Sequence, residues 1–114
     1  MEQEIRQRIE ALVHGNEVVL FMKGDLNFPM CGFSGRAAQI LKACGLDAQR
    51  VTAVNVLADE EIRQGIKEYS QWPTFPQLYV RGEFIGGADI MTQMYESGEM
   101  QALLNGDGQG AGAV

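Results

Sequence analysis

Cys31-Gly32-Phe33-Ser34 holds the residues whose types and spacing can do chemistry. Two thiols three residues apart at the start of a helix can be oxidised, and each can release the other from a mixed disulfide. Here the second position carries a hydroxyl, so the site has one nucleophilic or metal-binding sulfur. Chemistry that needs a second must borrow it from another molecule. The other cysteine, Cys44, lies thirteen residues further on. At about 1.5 Å per helical residue that is on the order of 20 Å away, whereas a disulfide needs Cα atoms within roughly 7 Å. Cys44 therefore reads as a small buried helix residue. Cys31 must ionise to act. Helix-start amides from Gly32 to Ser34 favour negative sulfur, and Lys23 adds positive charge, so the thiol is expected below its free pKa of about 8.5. Ser34 has a plainer reading as a helix cap.

The elements that must position these residues can be traced through the chain. Ile5, Ile9, Leu12 and Val13 recur at helical spacing over residues 4–13, and Gly15-Asn16 ends that amphipathic helix. Val18 to Met22 is a continuous apolar run, as in a strand buried on both faces. Lys23-Gly24-Asp25 closes it, and a loop through Pro29 reaches Cys31. Ala37, Leu41 and Cys44 then line one side of a second helix that Gly45 terminates. Val51 to Val56 reads as a strand parallel to the first, because a helix of suitable length joins them. Asp59 caps a third helix carrying Ile62, Ile66 and Tyr69, which Trp72-Pro73-Thr74-Phe75-Pro76 breaks. Gln77 to Arg81 and Glu83 to Ile85 form a hairpin about Gly82, and a last helix runs from about Asp89 to Leu104. These elements predict an α/β, thioredoxin-like fold: a four-stranded mixed sheet flanked by helices. Residues 1–105 are expected to form one domain, and the glycine-rich 106–114 a flexible tail.

Composition narrows the function classes. The chain has 114 residues, 46% hydrophobic and 21% charged, which suits a globular domain with its own core. A formal charge of −6 argues against broad binding to nucleic acid or to anionic membrane, both of which need clustered Lys and Arg. Met1 to Arg6 mixes charges of both signs where a signal peptide would be apolar, and no run approaches transmembrane length. The expected compartment is the cytoplasm. His14 stands without a second His or an acidic cluster at metal spacing and reads as a helix-end or surface residue. Met22, Met91 and Met94 read as core packing, and Trp72 as packing in the loop before the hairpin.

Four motifs in order, Lys23-Gly24, Pro29-x-Cys31-Gly32-Phe33-Ser34, Trp72-Pro73-Thr74-Phe75-Pro76 and Gly86-Gly87-x-Asp89-Ile90, together resemble a CGFS-type monothiol glutaredoxin. The likeness covers nearly all of the chain except its glycine tail. It implies a protein that binds a [2Fe–2S] cluster at a homodimer interface, with glutathione as co-ligand, and transfers it to apo iron–sulfur acceptor proteins or uses it in iron signalling. It also suggests a BolA-type partner. Ligand counting agrees: such a cluster takes four thiolates, two Cys31 sulfurs supply two, and two glutathiones complete the set. In similar proteins, a loop as long as the seven residues between Lys23 and Cys31 goes with cluster transfer rather than fast thiol exchange.

The resemblance also implies where glutathione lies. Its glycyl carboxylate meets Lys23 and Arg63, though each also reads as an ordinary exposed cation. A cis-Pro76 turns the backbone of Phe75 toward the cysteinyl portion, which pairs with it like an added strand while the Phe75 ring is incidental. The amides of Ala88 and Asp89, at a helix start behind two glycines, receive the γ-glutamyl carboxylate, and the Asp89 carboxylate accepts from the ammonium. Asp89 alone also reads as a helix cap. A second function fits the same residues: a glutathione-dependent monothiol disulfide oxidoreductase, in which Cys31 takes glutathione from a mixed disulfide and a second glutathione regenerates it. A third, an adaptor without chemistry, fits them poorly.

Overall fold

A computed structural model describes residues 1–106 of the chain. The expected tail, 106–114, lies outside the described residues apart from Gly106. The elements run α1 (Gln3–Gly15), β1 (Val18–Met22), α2 (Gly32–Ala43), β2 (Val51–Asn55), α3 (Glu60–Ser70), β3 (Gln77–Val80), β4 (Glu83–Gly86), α4 (Ala88–Ser97) and α5 (Glu99–Leu104), with 3-10 turns at Ala48–Arg50 and Val56–Ala58.

The sheet has the order β2-β1-β3-β4. The β1 and β2 strands are parallel, with Val18 opposite Val51 and Met22 opposite Asn55; β1 with β3 and β3 with β4 are antiparallel. This is the expected mixed four-stranded sheet, with β1 central and all five of its residues buried.

The period of two along β1 divides the interior into two layers. Val18, Leu20 and Met22 face α2, α4 and α5 through Ala37, Ile40, Leu41, Cys44, Met91, Met100 and Leu104. Val19 and Phe21 face α1 and α3 through Ile5, Ile9, Val13, Ile62 and Ile66. The α1 and α3 helices approach closely because Gly65 lacks a side chain: a Cβ there would lie 2.8 Å from Ile5 and 2.9 Å from Ile9. Met22 and Met91 are fully buried and Met94 packs on the same layer, as expected.

Among the boundaries that differ from the sequence reading, three have a clear local cause. The strand expected to reach Val56 ends at Asn55, whose side-chain oxygen accepts from the Leu57 amide at 3.0 Å and starts a 3-10 turn. The single last helix is two, broken at Gly98 with φ +87°. Arg81 (φ +50°) and Gly82 (φ +81°) form the hairpin turn, so β3 ends at Val80 and not at Arg81. His14 is exposed in the last turn of α1, against that hairpin turn.

Candidate functional site

Cys31 is the N-cap of α2 and half-buried. Its thiol is held below its ordinary value, first by the Ser34 backbone amide and further by the Phe33 amide, the Ser34 hydroxyl and the Lys23 charge; partial burial opposes them. The expected thiolate therefore has identifiable donors. Cys44 stands at the other end of the same helix, buried, and burial pushes its thiol up. The two sulfurs are separated by the length of α2 and are both free.

Ser34 is not the helix cap expected of it, since Cys31 holds that position. It is fully buried, and its hydroxyl oxygen accepts from the Lys23 amide at 3.0 Å, tying the end of β1 to the first turn of α2. The hydroxyl that replaces a second thiol thus fixes the lysine strand end beside the sulfur.

The loop between them is equally determined. The Gly24 amide donates to the side-chain oxygen of Asn55 at 2.9 Å, the Met30 amide returns to the Lys23 carbonyl at 2.9 Å, and Asp25 accepts from the amides of Asn27 (3.0 Å) and Phe28 (2.9 Å). Gly24 has φ +88°, and a Cβ there would lie 2.4 Å from the Phe28 carbonyl oxygen. Only glycine fits that crossing. Sequence reasoning missed Asn55 because its partner lies 31 residues away in the chain.

Lys23, Cys31, Arg63, Phe75, Ala88 and Asp89, the six residues singled out from the sequence, line one open cavity of about 570 Å³. Its wall also includes Phe33, Lys67, Trp72, Thr74, Pro76 and Gly87. Arg63 and Lys67 project from α3 one turn apart, a spacing that puts both on one helix face. Lys67 was missed although that (i, i+4) signal is present in the sequence. The Phe75–Pro76 peptide is cis, as the resemblance implied. The Phe75 ring serves packing: it is 7% exposed, packs into the α1/α3 layer, and has the Lys67 ammonium 5.9 Å above its centre.

Trp72 packs on Phe84 with ring centres 5.6 Å apart and reaches Gly87, where a Cβ would lie 3.2 Å from the indole nitrogen and 3.3 Å from the Pro76 carbonyl oxygen. Gln77, wholly buried, donates to the Trp72 carbonyl at 2.9 Å and the Thr74 carbonyl at 3.2 Å, which locks the loop from behind. At the far end of the cavity Gly87 caps α4, so that helix begins at the wall.

The electrostatics favour an anion. Lys23, Arg63 and Lys67 face one carboxylate, Asp89, and the α4 start adds its partial positive charge. Among the described residues, Arg63 Nε and Trp72 Nε1 are buried donors without a protein acceptor. A ligand with several carboxylate oxygens fits this wall. A metal held by one chain does not: among the described residues no cluster of three or more His, Cys, Asp or Glu side chains could ligate one. Among the described residues, no helix is long and apolar enough to cross a membrane.

Comparison with known proteins agrees with this geometry. The glutaredoxin family model matches residues 18–85. A ycf64-like monothiol glutaredoxin of Synechocystis is 53% identical over 104 residues, 91% of this chain and 94% of that one. The mitochondrial monothiol glutaredoxin-5 of Saccharomyces cerevisiae is 52% identical over 104 residues, 91% of this chain and 69% of that one. The solution structure of reduced poplar apo GrxS14 superposes with a TM-score of 0.76 at 48% identity, covering 90% of this chain and 92% of that one.

These relatives correct one expectation. Several are named mitochondrial or chloroplastic, which points to organelles and overturns the cytoplasmic assignment. Gln3 to Arg6 form the first turn of α1, with Ile5 in the core. The matched part of the yeast relative is 69% of its length, so it has residues beyond the shared domain. A lone activated thiol at a helix start, a cation-lined cavity beside it and half-identical relatives over nine-tenths of the sequence place this chain in the glutaredoxin family, among the monothiol glutaredoxins.

Proposed function

We propose that the cavity binds glutathione beside Cys31, and that two copies of the chain, each with one glutathione, carry a [2Fe–2S] cluster for delivery to apo iron–sulfur acceptor proteins. The observation that carries this reading is the pairing of one activated, half-buried sulfur with an anion-binding cavity that contains no second sulfur. Lys23, Arg63 and Lys67 supply cations for the carboxylates, the backbone of Phe75 pairs with the cysteinyl unit, and Ala88 and Asp89 hold the γ-glutamyl end. Four thiolates are reached only by two Cys31 sulfurs and two glutathione sulfurs, because Cys44 is buried at the opposite end of α2. Residues 1–105 hold every group this requires.

The test is anaerobic reconstitution with iron and sulfide, with and without glutathione, followed by visible absorption and mass. A coloured dimer that forms only with glutathione is expected. A coloured monomer, or loading indifferent to glutathione, refutes the reading. The lowered Cys31 pKa supports a second activity at the same thiol, transfer of glutathione from mixed disulfides. There Cys31 thiolate attacks the glutathione sulfur, the substrate leaves as thiolate, and a second glutathione thiolate attacks the mixed disulfide, restoring Cys31 and releasing oxidised glutathione. Rapid turnover by a colourless monomer would make that the principal function.

A further inference from the structure

Around Cys31 the surface is unusually apolar. Phe28 is 73% exposed, Met30 67% and Phe33 63%, the three most exposed large hydrophobic side chains among the described residues. They fall within residues 26–35, ten consecutive positions without a charge, in a chain whose formal charge is −6. Phe33 also lines the glutathione cavity, whereas Phe28 and Met30 do not, so the apolar collar extends beyond the ligand site. The segment is held rather than loose: Gly24 and Pro29 form a β-bridge, Met30 bonds back to Lys23, and Asp25 anchors Phe28.

From these observations we infer that Phe28 and Met30 form the self-complementary contact through which a second copy of the chain docks when the cluster is carried. This rests on the function proposed above. Two Cys31 sulfurs sharing one small cluster must bring together the side chains that flank each of them, and exposed apolar groups gain most from that contact. Two acidic chains repel, and the repulsion is least where neither presents charge. An uncharged, apolar and preorganised collar beside the shared ligand meets both demands. In a two-fold contact every side chain is counted twice, so its loss is felt twice.

The experiment uses the full chain with Phe28→Ser and Met30→Gln together, and separately with Met30→Glu; Phe33 is left alone because it borders the ligand. These side chains are exposed, and the hydrogen bonds that hold the loop come from the backbone of both residues, so the fold is expected to persist. Glutathione affinity of the apo monomer, measured by calorimetry, should stay within about twofold of the original. The dissociation constant of the cluster-loaded dimer, measured by sedimentation on dilution, should rise by about tenfold per side chain, on the order of a hundredfold for the pair. Met30→Glu should weaken the dimer as well, with part of the loss recovered in high salt as the paired charges are screened. Unchanged dimer affinity in the double variant overturns the inference while leaving glutathione-dependent loading intact. Slower handover to an apo acceptor with an unchanged dimer also overturns it, by assigning the collar to acceptors. A wild-type chain that fails to load with glutathione refutes the proposed function itself.

Discussion

Ser34→Ala removes a single oxygen and tests how the site is held together. The Ser34 hydroxyl is fully buried and accepts from the Lys23 amide at 3.0 Å. Without it, a part-buried N–H loses its acceptor, which costs about 1–3 kcal/mol. Alanine is the better helix former and returns about 0.5 kcal/mol, leaving a net loss of about 0.5–2.5 kcal/mol. For a domain near 100 residues each kcal/mol lowers Tm by about 4–8 °C, so a fall of roughly 2–20 °C is expected. The same hydroxyl helps to hold the Cys31 thiol below its ordinary value, behind the backbone amides of Ser34 and Phe33. Its removal should raise the thiol pKa without returning it to the free value. Iodoacetamide alkylation followed against pH reads that midpoint, and thermal or urea unfolding reads stability. Since the folded state holds Cys31 below its unfolded pKa, the thiolate's contribution to stability is complete above the unfolded value and is lost as pH falls through the folded one. The variant narrows that window from its lower edge. An unchanged Tm together with an unchanged alkylation midpoint would refute the assignment of Ser34 as the tie between strand and thiol.

Three further outcomes follow from the geometry. Arg63→Gln and Lys67→Gln should each weaken glutathione binding by about tenfold or more, the worth of a charge-assisted contact, and each should reduce the salt dependence seen by calorimetry. Cys31→Ser should abolish both cluster loading and glutathione-dependent turnover, whereas Cys44→Ser should leave both intact; native alkylation near neutral pH should modify one sulfur only, since burial holds Cys44 protonated. Gly24→Ala places a Cβ 2.4 Å from the Phe28 carbonyl oxygen at φ +88°, and denaturant unfolding should show a loss of about 2 kcal/mol or more.

What could be read from sequence was whatever repeats locally. The unbroken Val18–Met22 run identifies a central strand because both of its faces must be covered, and Asp59 three residues before Ile62 announces the start of α3. The cavity residues were legible where backbone chemistry demands a residue type: a thiol at a helix start, glycines at a close approach, proline before a strand. Interactions between distant parts of the chain were not. Ser34 looks like any helix-start serine until the end of β1 is brought over it, and Asn55 looks like a polar strand end until Gly24 donates to it. The break at Gly98 escaped because Met91, Met94 and Leu104 continue a helical spacing across it, although a glycine after serine was visible as a stop. Lys67 was overlooked for a different reason: its spacing from Arg63 signals a shared face, but only the fold shows that face turned toward Cys31.

The placement of one sulfur at each end of α2 also sets a reaction order. With no thiol inside the molecule able to reach Cys31, every bond its sulfur forms is made with a visitor, so under the proposed function rates scale with the concentration of glutathione or of other chains rather than with an internal collision frequency. Such a molecule reports the abundance of its surroundings: dilution of its partner slows it, and no private disulfide can take it out of circulation.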